Sequence, residues 1–312
     1  MVKKEEFYYD SSDKTTKIHG VKWIPDGEVK GILQISHGML EHMDRYNEFA
    51  VYLASNGILV AGNDHLGHGY SLTNEENRGY FCRDNGNKTV IEDMHKLRKI
   101  IETEFKHKPY FFLGHSMGSF LLRQYITIYN EGLHGAIIMG TGNQPYALLK
   151  SGIIITRLIA LFKGWRYRSS FVNKLAIGNN NKKFEPARTS VDWLSKDEKR
   201  VDDYIRDKRI DFVFTLNAFY NMFKGMESLY NKNNLHNMKK ELPVIFLSGA
   251  KDPVGNFGKD VKKVYDDFKE MGMKNLDIKI YEDDRHEILN ETDRDIVYRD
   301  IEKWILRIAK IK

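Results

Sequence analysis

The sequence predicts an α/β protein: a mainly parallel central sheet with helices on both faces and one helical insertion. Three observations carry that expectation. Short apolar runs alternate with stretches of helical spacing, and strand–helix alternation builds parallel sheets through crossover connections. Runs such as Ile58-Leu59-Val60-Ala61 and Tyr110-Phe111-Phe112-Leu113 are apolar throughout, as strands buried on both faces are. The rhythm stops after Thr141 and resumes at Val244, with no convincing buried strand between them.

The first forty residues read as strands. Lys17 to Ile24 alternates polar and apolar residues before the Pro25-Asp26-Gly27 turn, and Gly31 to Ser36 forms a second run. A helix is expected from Asp44, because Tyr46, Phe49, Ala50 and Leu53 share a face and Asn56-Gly57 stops it. The strand at Ile58 follows, then a helix over Val90 to Phe105, the strand at Tyr110, a helix over Phe120 to Tyr129 and a strand over Ala136 to Met139. Beyond the interruption come a strand at Val244 to Gly249, a helix over Val261 to Met271, a strand at Leu276 to Tyr281 and a closing helix over Asp295 to Ile308. Residues 1–142 and 239–312 therefore read as one core, and residues 143–238 as a helical cap inserted into it.

Composition excludes several classes. The 312 residues are 41% hydrophobic and 29% charged, enough to bury a large core rather than remain disordered. One Cys excludes a disulfide framework, a cysteine zinc ribbon and an iron–sulfur site. The charge of +6 is spread along the chain and reads as a solvated surface, so no nucleic-acid partner is expected. Lys3 and Lys4 are followed by no apolar stretch, and no run of about 18 apolar residues exists. A cytoplasmic chain is expected on those grounds. Composition gives no oligomeric state.

The sharpest local signal is Gly114-His115-Ser116-Met117-Gly118, set between an expected strand and an expected helix. A Ser in G-x-S-x-G at such a junction sits on a tight, strained turn that exposes its Oγ. The helix start also aims backbone N–H groups at developing negative charge. Serine needs a base, and in this arrangement the acid and then the His follow it in the chain. Of the downstream histidines, His134 and His236 fall where surface loops are expected. His286 follows the strand ending at Tyr281, at the carboxyl end where functional groups gather. Asp252 lies after the Val244 strand and suits the acid that holds the imidazole, whereas Asp283 and Asp284 are too near His286 in the chain to approach it from the far side. The backbone N–H groups of Met117, next after Ser116, and Met39, in the loop after the Gly31 strand, are the candidate oxyanion hole.

With these residues goes a wider pattern: His37-Gly38-Met39-Leu40-Glu41-His42, Asp44-Arg45-Tyr46 and Asp64-His65-Leu66-Gly67-His68-Gly69-Tyr70-Ser71. Together they resemble the α/β-hydrolases, and within them the monoacylglycerol lipase and lysophospholipase family, also called the serine aminopeptidase-like hydrolases. Asp192-Trp193-Leu194-Ser195 and Phe212-Val213-Phe214-Thr215 resemble the bacterial members. The resemblance implies an α/β-hydrolase fold, an esterase acting on single-chain lipids through a Ser116–Asp252–His286 triad, a helical cap over the acyl pocket and no cofactor. It also implies that His65 and His68, an H-x-x-H beside Asp64, are structural and bind no metal. Cys82 reads as a packed thiol outside the triad.

The insertion carries the substrate information. Ala147 to Lys163 is the most apolar stretch of the chain, interrupted by Lys150 and Arg157. Ile154 and Leu158 are expected to line an acyl channel, and Phe212, Phe214, Phe219, Met222 and Phe223 to supply a similar wall or pack the cap. The same stretch, with Arg157, Lys163, Arg166 and Arg168, suits either transient contact with a membrane surface or a cap helix whose basic residues reach into water. A peptidase is the alternative enzyme, although iminopeptidases of this fold carry His-Gly-Gly-Pro-Gly where this chain has His37-Gly38-Met39-Leu40-Glu41. A general short-chain esterase and a non-catalytic receptor complete the field. As an ester hydrolase, the protein should lose activity on acidification, because His286 must be neutral to act as a base.

Overall fold

The computed structural model describes residues 1–310, apart from the side chains of Lys232 and Leu235. In chain order the elements are β1 (Lys3–Asp10), β2 (Lys17–Ile24), β3 (Gly31–Ser36), α1 (Asn47–Ser55), β4 (Ile58–Asn63), α2 (Gly86–Glu104), β5 (Tyr110–His115), α3 (Met117–Ile128) and β6 (Gly135–Met139). Helices α4 (Tyr146–Lys163), α5 (Ser170–Ile177), α6 (Glu198–Arg206), α7 (Leu216–Ser228) and α8 (Lys232–His236) follow. Then come β7 (Val244–Gly249), α9 (Lys259–Glu270), β8 (Leu276–Tyr281) and α10 (Arg294–Ala309). The eight strands form one sheet in the order β1-β2-β4-β3-β5-β6-β7-β8. Pairing is parallel from β4 through β8 and antiparallel where β2 meets β1 and β4.

The all-apolar strands are divided between two cores by the pleat. Phe112, Ile138 and Phe246 face α2, α3 and α9 on one side, whereas Phe111, Leu113, Ile137 and Leu247 face α1 and α10 on the other. Two layers of helix thus exclude water from both sides of the parallel strands, which is what such runs require. The alternation in β2 does not mark a solvent face. His19 and Lys22 are buried there because each has an acidic partner, His19 with Asp64 and Lys22 with Glu5 and Glu104. β1 is the strand that periodicity leaves unmarked. It lies at the sheet edge, where Lys3, Lys4 and Glu5 are tolerated because one side is solvated.

Between β6 and β7 the described residues contain helices and no strand. α4 and α7 pack against each other over the carboxyl ends of the strands, and α7 also touches α2 and α3. No helix among the described residues is long and apolar enough to cross a membrane.

Candidate active site

Ser116 joins β5 to α3 with φ 52° and ψ −118°. A non-glycine residue pays strain for such a conformation, which persists only when its surroundings impose it. They do so here. Its N–H donates to the Met139 carbonyl of β6 at 3.0 Å, and its own carbonyl accepts from the Ser119 N–H at 2.8 Å and the Ser119 hydroxyl at 2.6 Å. The flanking glycines answer to crowding. A Cβ on Gly114 would collide with the Gly118 carbonyl, and one on Gly118 with the Ser36 carbonyl at the end of β3. The elbow is therefore pressed against two strands, and Ser116 lines a cavity.

His286 lies in that cavity, in the loop after β8. Its Nδ1 is 3.0 Å from Asp252 Oδ1. A carboxylate can only accept, so Nδ1 carries the proton and Nε2 of the neutral ring keeps its lone pair. Asp252 is fully buried after β7 and also accepts from the Val254 N–H at 2.8 Å. The Trp193 ring lies 5.0 Å from the imidazole, and the Trp193 carbonyl accepts the His286 N–H at 3.4 Å. Ser116 and His286 face the cavity without a hydrogen bond between them among the described residues; such contacts commonly tighten only when substrate enters. The rival groups are elsewhere. Asp283 pairs with Lys251 and Asp284 with Lys196, while His134 accepts from the Tyr110 N–H and His236 lies exposed on α8.

Met39 and Met117 both line the cavity, and neither N–H donates to a protein acceptor among the described residues. Met117 opens α3, where an N–H has no partner within its own helix. Gly38 brings the other loop close: a Cβ there would lie 3.1 Å from Ser116 Cβ. Larger side chains at position 38 would push Met39 away from the elbow.

A buried polar network supports this loop, and local sequence motifs did not assign it a role. The Glu41 carboxylate accepts from the Gly38 N–H at 2.6 Å, Arg45 at 2.8 Å and the Tyr46 hydroxyl at 2.8 Å. Arg45 reaches across to Glu287 with two bonds of 2.7 Å, tying the loop after β3 to the residue after His286. His115, just before Ser116, lies 3.4 Å from Glu41 and 3.3 Å from the His286 carbonyl. Burial alone would raise the Glu41 carboxyl, but the His115 and Arg45 charges outweigh it and hold it well below the usual range. Burial likewise opposes charge on His115, and Glu41 reverses that and raises it. The i, i+4 spacing of Glu41 and Arg45 was the available sequence signal; their convergence on Glu287 was not readable.

The cavity has a volume of about 490 Å³, within the usual range for small-molecule sites. Its apolar wall comes from Leu148, Leu149 and Gly152 of α4 and from Met222, Phe223 and Met226 of α7. Ile154 and Leu158 do not take part; they are 55% and 52% exposed on the opposite side of α4. α4 is apolar nearly all round, so its periodicity could not tell the cavity face from the outer one. Phe212 and Phe214 do not line the cavity either and take the other expected part, packing. Their rings lie 5.7 and 5.3 Å from the His68 ring, and Phe214 meets Phe81, so they pack the insertion onto the core.

His65 and His68 are buried beside His37, with ring centroids 4.2 Å apart for His37–His65 and 5.1 Å for His37–His68. Burial pushes them down to about 3 and about 4, so both are neutral in ordinary buffers. The His37 Nε2 accepts the His65 N–H at 2.9 Å, which fixes the start of the loop after β3. Among the described residues no cluster of three or more His, Cys, Asp or Glu side chains is arranged to hold a metal ion. Cys82 is buried, its thiol raised by burial and directed to the Asp84 carbonyl.

Comparison with known proteins places this geometry. The sequence pattern described as serine aminopeptidase, S33, matches residues 27–293. A monoglyceride lipase homolog of Monkeypox virus is 28% identical over 92% of this chain and 94% of its own length. The monoacylglycerol lipase of Mycolicibacterium smegmatis is 25% identical over 91% of each chain. The crystal structure of a highly thermostable carboxyl esterase from Bacillus coagulans matches 98% of this chain and 99% of its own with a TM-score of 0.91 at 27% identity. The fold is thus the expected α/β-hydrolase fold. The relatives come from a virus as well as a bacterium, so the likeness does not single out the bacterial branch. Because the family match runs from the turn before β3 to the threshold of α10 and takes in every residue of the site, the chain belongs to the serine aminopeptidase S33 family of hydrolases.

Proposed function

We propose that this hydrolase is a serine carboxylic-ester hydrolase for monoacylglycerols, lysophospholipids or related single-chain esters. The observation that carries the proposal is Ser116 on a strained elbow, sharing an apolar-walled cavity with an imidazole whose far nitrogen is held by buried Asp252. Ser116 Oγ attacks the ester carbonyl while His286 Nε2 takes its proton. Asp252 stabilises the imidazolium. The Met39 and Met117 N–H groups hold the tetrahedral oxyanion. Collapse expels the alcohol, which receives the proton from His286, and leaves the acyl group on Ser116. Water, deprotonated by His286, then attacks the acyl-enzyme and releases the fatty acid.

Esters are favoured over aminoacyl substrates by the carboxylates. Recognition of a free amino terminus calls for an unpaired acid, and both carboxylates lining the cavity, Glu41 and Glu287, are engaged by Arg45. The relatives named as monoglyceride and monoacylglycerol lipases support the lipid reading. Asp192 to Ser195, on which the bacterial resemblance rests, contributes Trp193 beside His286 and the Leu194 carbonyl that accepts the Glu287 N–H at 2.7 Å. Transient contact of the insertion with a membrane surface belongs to the proposal too. Ile154, Leu158, Leu161 and Phe162 form an exposed apolar strip along α4, with Phe162 87% exposed. A cytoplasmic location is part of the same reading.

A panel of p-nitrophenyl esters, monoacylglycerols and aminoacyl anilides tests it. Turnover of the esters and not the anilides is expected. Preference for the anilides would replace the reading with a peptidase.

A further inference from the structure

Arg123 lies about two turns beyond Ser116 on α3, on the same side of the helix as Phe120. Only 7% of it is exposed. Its Nη1 donates to the Gly142 carbonyl at 3.0 Å and the Thr141 hydroxyl at 3.3 Å. Buried Nε has no partner, and no carboxylate pairs with the guanidinium, among the described residues. The other deeply set guanidiniums are treated differently: Arg45 has Glu41 and Glu287, and Arg98 has Glu102. Buried charges are normally paired, because an uncompensated one is costly. Burial pushes Arg123 down to about 10, and the charges of Asp267 and Tyr230 oppose it without offsetting it. At neutral pH it still carries its charge.

Arg123 lines a second cavity of about 490 Å³ between α3, α7, α9 and the loop after β6. Phe120, Gln144, Leu149 and Met226 line both this chamber and the Ser116 cavity. Leu229, Phe268 and Met271 extend its apolar wall. Two carboxylates, Asp267 and Glu270, stand on the α9 side, and Asp267 is ion-paired with Lys263. A chamber with an apolar wall and a buried cation that no carboxylate pairs among the described residues matches a molecule with an oxyanion at one end and an apolar chain at the other.

We propose that this chamber binds the oxyanion of an anionic single-chain lipid, with Arg123 as its counter-charge and the apolar walls holding the chain. A fatty-acid carboxylate and the phosphate of a lysophospholipid share that chemistry. The site does not depend on the ester-hydrolase reading. If that reading holds, a fatty acid bound here is the product of the adjoining cavity.

The test is titration calorimetry on Ser116→Ala protein, which removes turnover from the readout, with decanoate, decyl phosphate and decanol. Saturable binding of at least one anion, about tenfold or more tighter than decanol, is expected. Arg123→Met in the same background should weaken anion binding about tenfold or more and leave decanol unchanged; a tenfold change is about 1.4 kcal/mol. Preference for decanoate assigns the chamber to fatty acids, and preference for decyl phosphate assigns it to phosphate head groups. Thermal melts check each variant. Should Arg123→Met fail to fold, Met271→Glu places a repelling charge on the half-buried chamber wall and is expected to produce the same selective loss. Equal affinity for anions and decanol, or anion affinity unchanged by the folded variant, would mean that the Gly142 and Thr141 contacts are all Arg123 serves, and would overturn the proposal.

Discussion

Around Ser116 the polar groups are bound to one another from several strands at once, whereas on α4, directly over the cavity, large apolar side chains face outward. Glu41 alone gathers the Gly38 N–H, Arg45, Tyr46 and His115. Along α4, Ile154, Leu158, Leu161 and Phe162 are each more than half exposed. The two regions answer to different demands. Attack on an ester needs donors and base held to within a fraction of an ångström, and buried hydrogen bonds supply that. On the proposed function, admission of a lipid chain needs apolar surface whose exact arrangement matters less.

The most severe way to break the comparison is Ser116→Ala. It should cut ester turnover by several orders of magnitude while the melting temperature stays near wild type. Next comes the network that holds the loop after β3, the proposed oxyanion loop. Glu41→Ala should lower kcat on p-nitrophenyl acetate about 10²-fold with little change in KM, since the Met39 N–H loses its orientation. An unchanged kcat in a folded variant would show that the loop holds its place without Glu41.

Much of this contrast was legible in the chain, and the exceptions have physical causes. β4, β5 and β6 stand out because strands buried on both faces must be apolar at every position. Ser116, Asp252 and His286 stand out because each follows a strand at the end where the sheet opens to a site. β1 did not, since an edge strand needs only one buried face. The Glu41–Arg45 pair has only its i, i+4 spacing as a signal, and its tie from the segment after β3 to Glu287 after β8 has no local signature. Ile154 and Leu158 misled because an apolar helix covering a cavity has two apolar sides, one toward the cavity and one outward.

That last point yields a paired substitution on opposite faces. Phe223→Asp, on the cavity wall, should reduce kcat/KM for palmitate esters far more than for acetate, at about 0.8 kcal/mol per methylene that loses its apolar contact. Ile154→Asp, on the outer face, should leave soluble esters untouched and lower turnover only for monoacylglycerol presented in vesicles. Equal behaviour of the two variants would erase the distinction between the faces.

The smallest effect contrasts two buried acids. Glu41 has cations beside it; Asp93, under the N-terminal hairpin, has mainly the Ser11 hydroxyl and Ser12 N–H. Burial raises Asp93 to about 6 despite those bonds. The folded state therefore binds a proton that the unfolded chain releases at lower pH, so this contribution to stability is present in acid and lost as pH rises through about 6. Asp93→Asn should raise the melting temperature by a few degrees at about pH 8, by roughly half as much at about pH 5 and hardly at all below about pH 3.5.

The central claim, that Ser116 is the nucleophile, is tested most directly by labelling the native protein with a fluorophosphonate and locating the adduct by peptide mass spectrometry. The account predicts one adduct, on the Ser116 hydroxyl, absent from Ser116→Ala. An adduct on another residue, or none on an enzyme that hydrolyses esters, would contradict it.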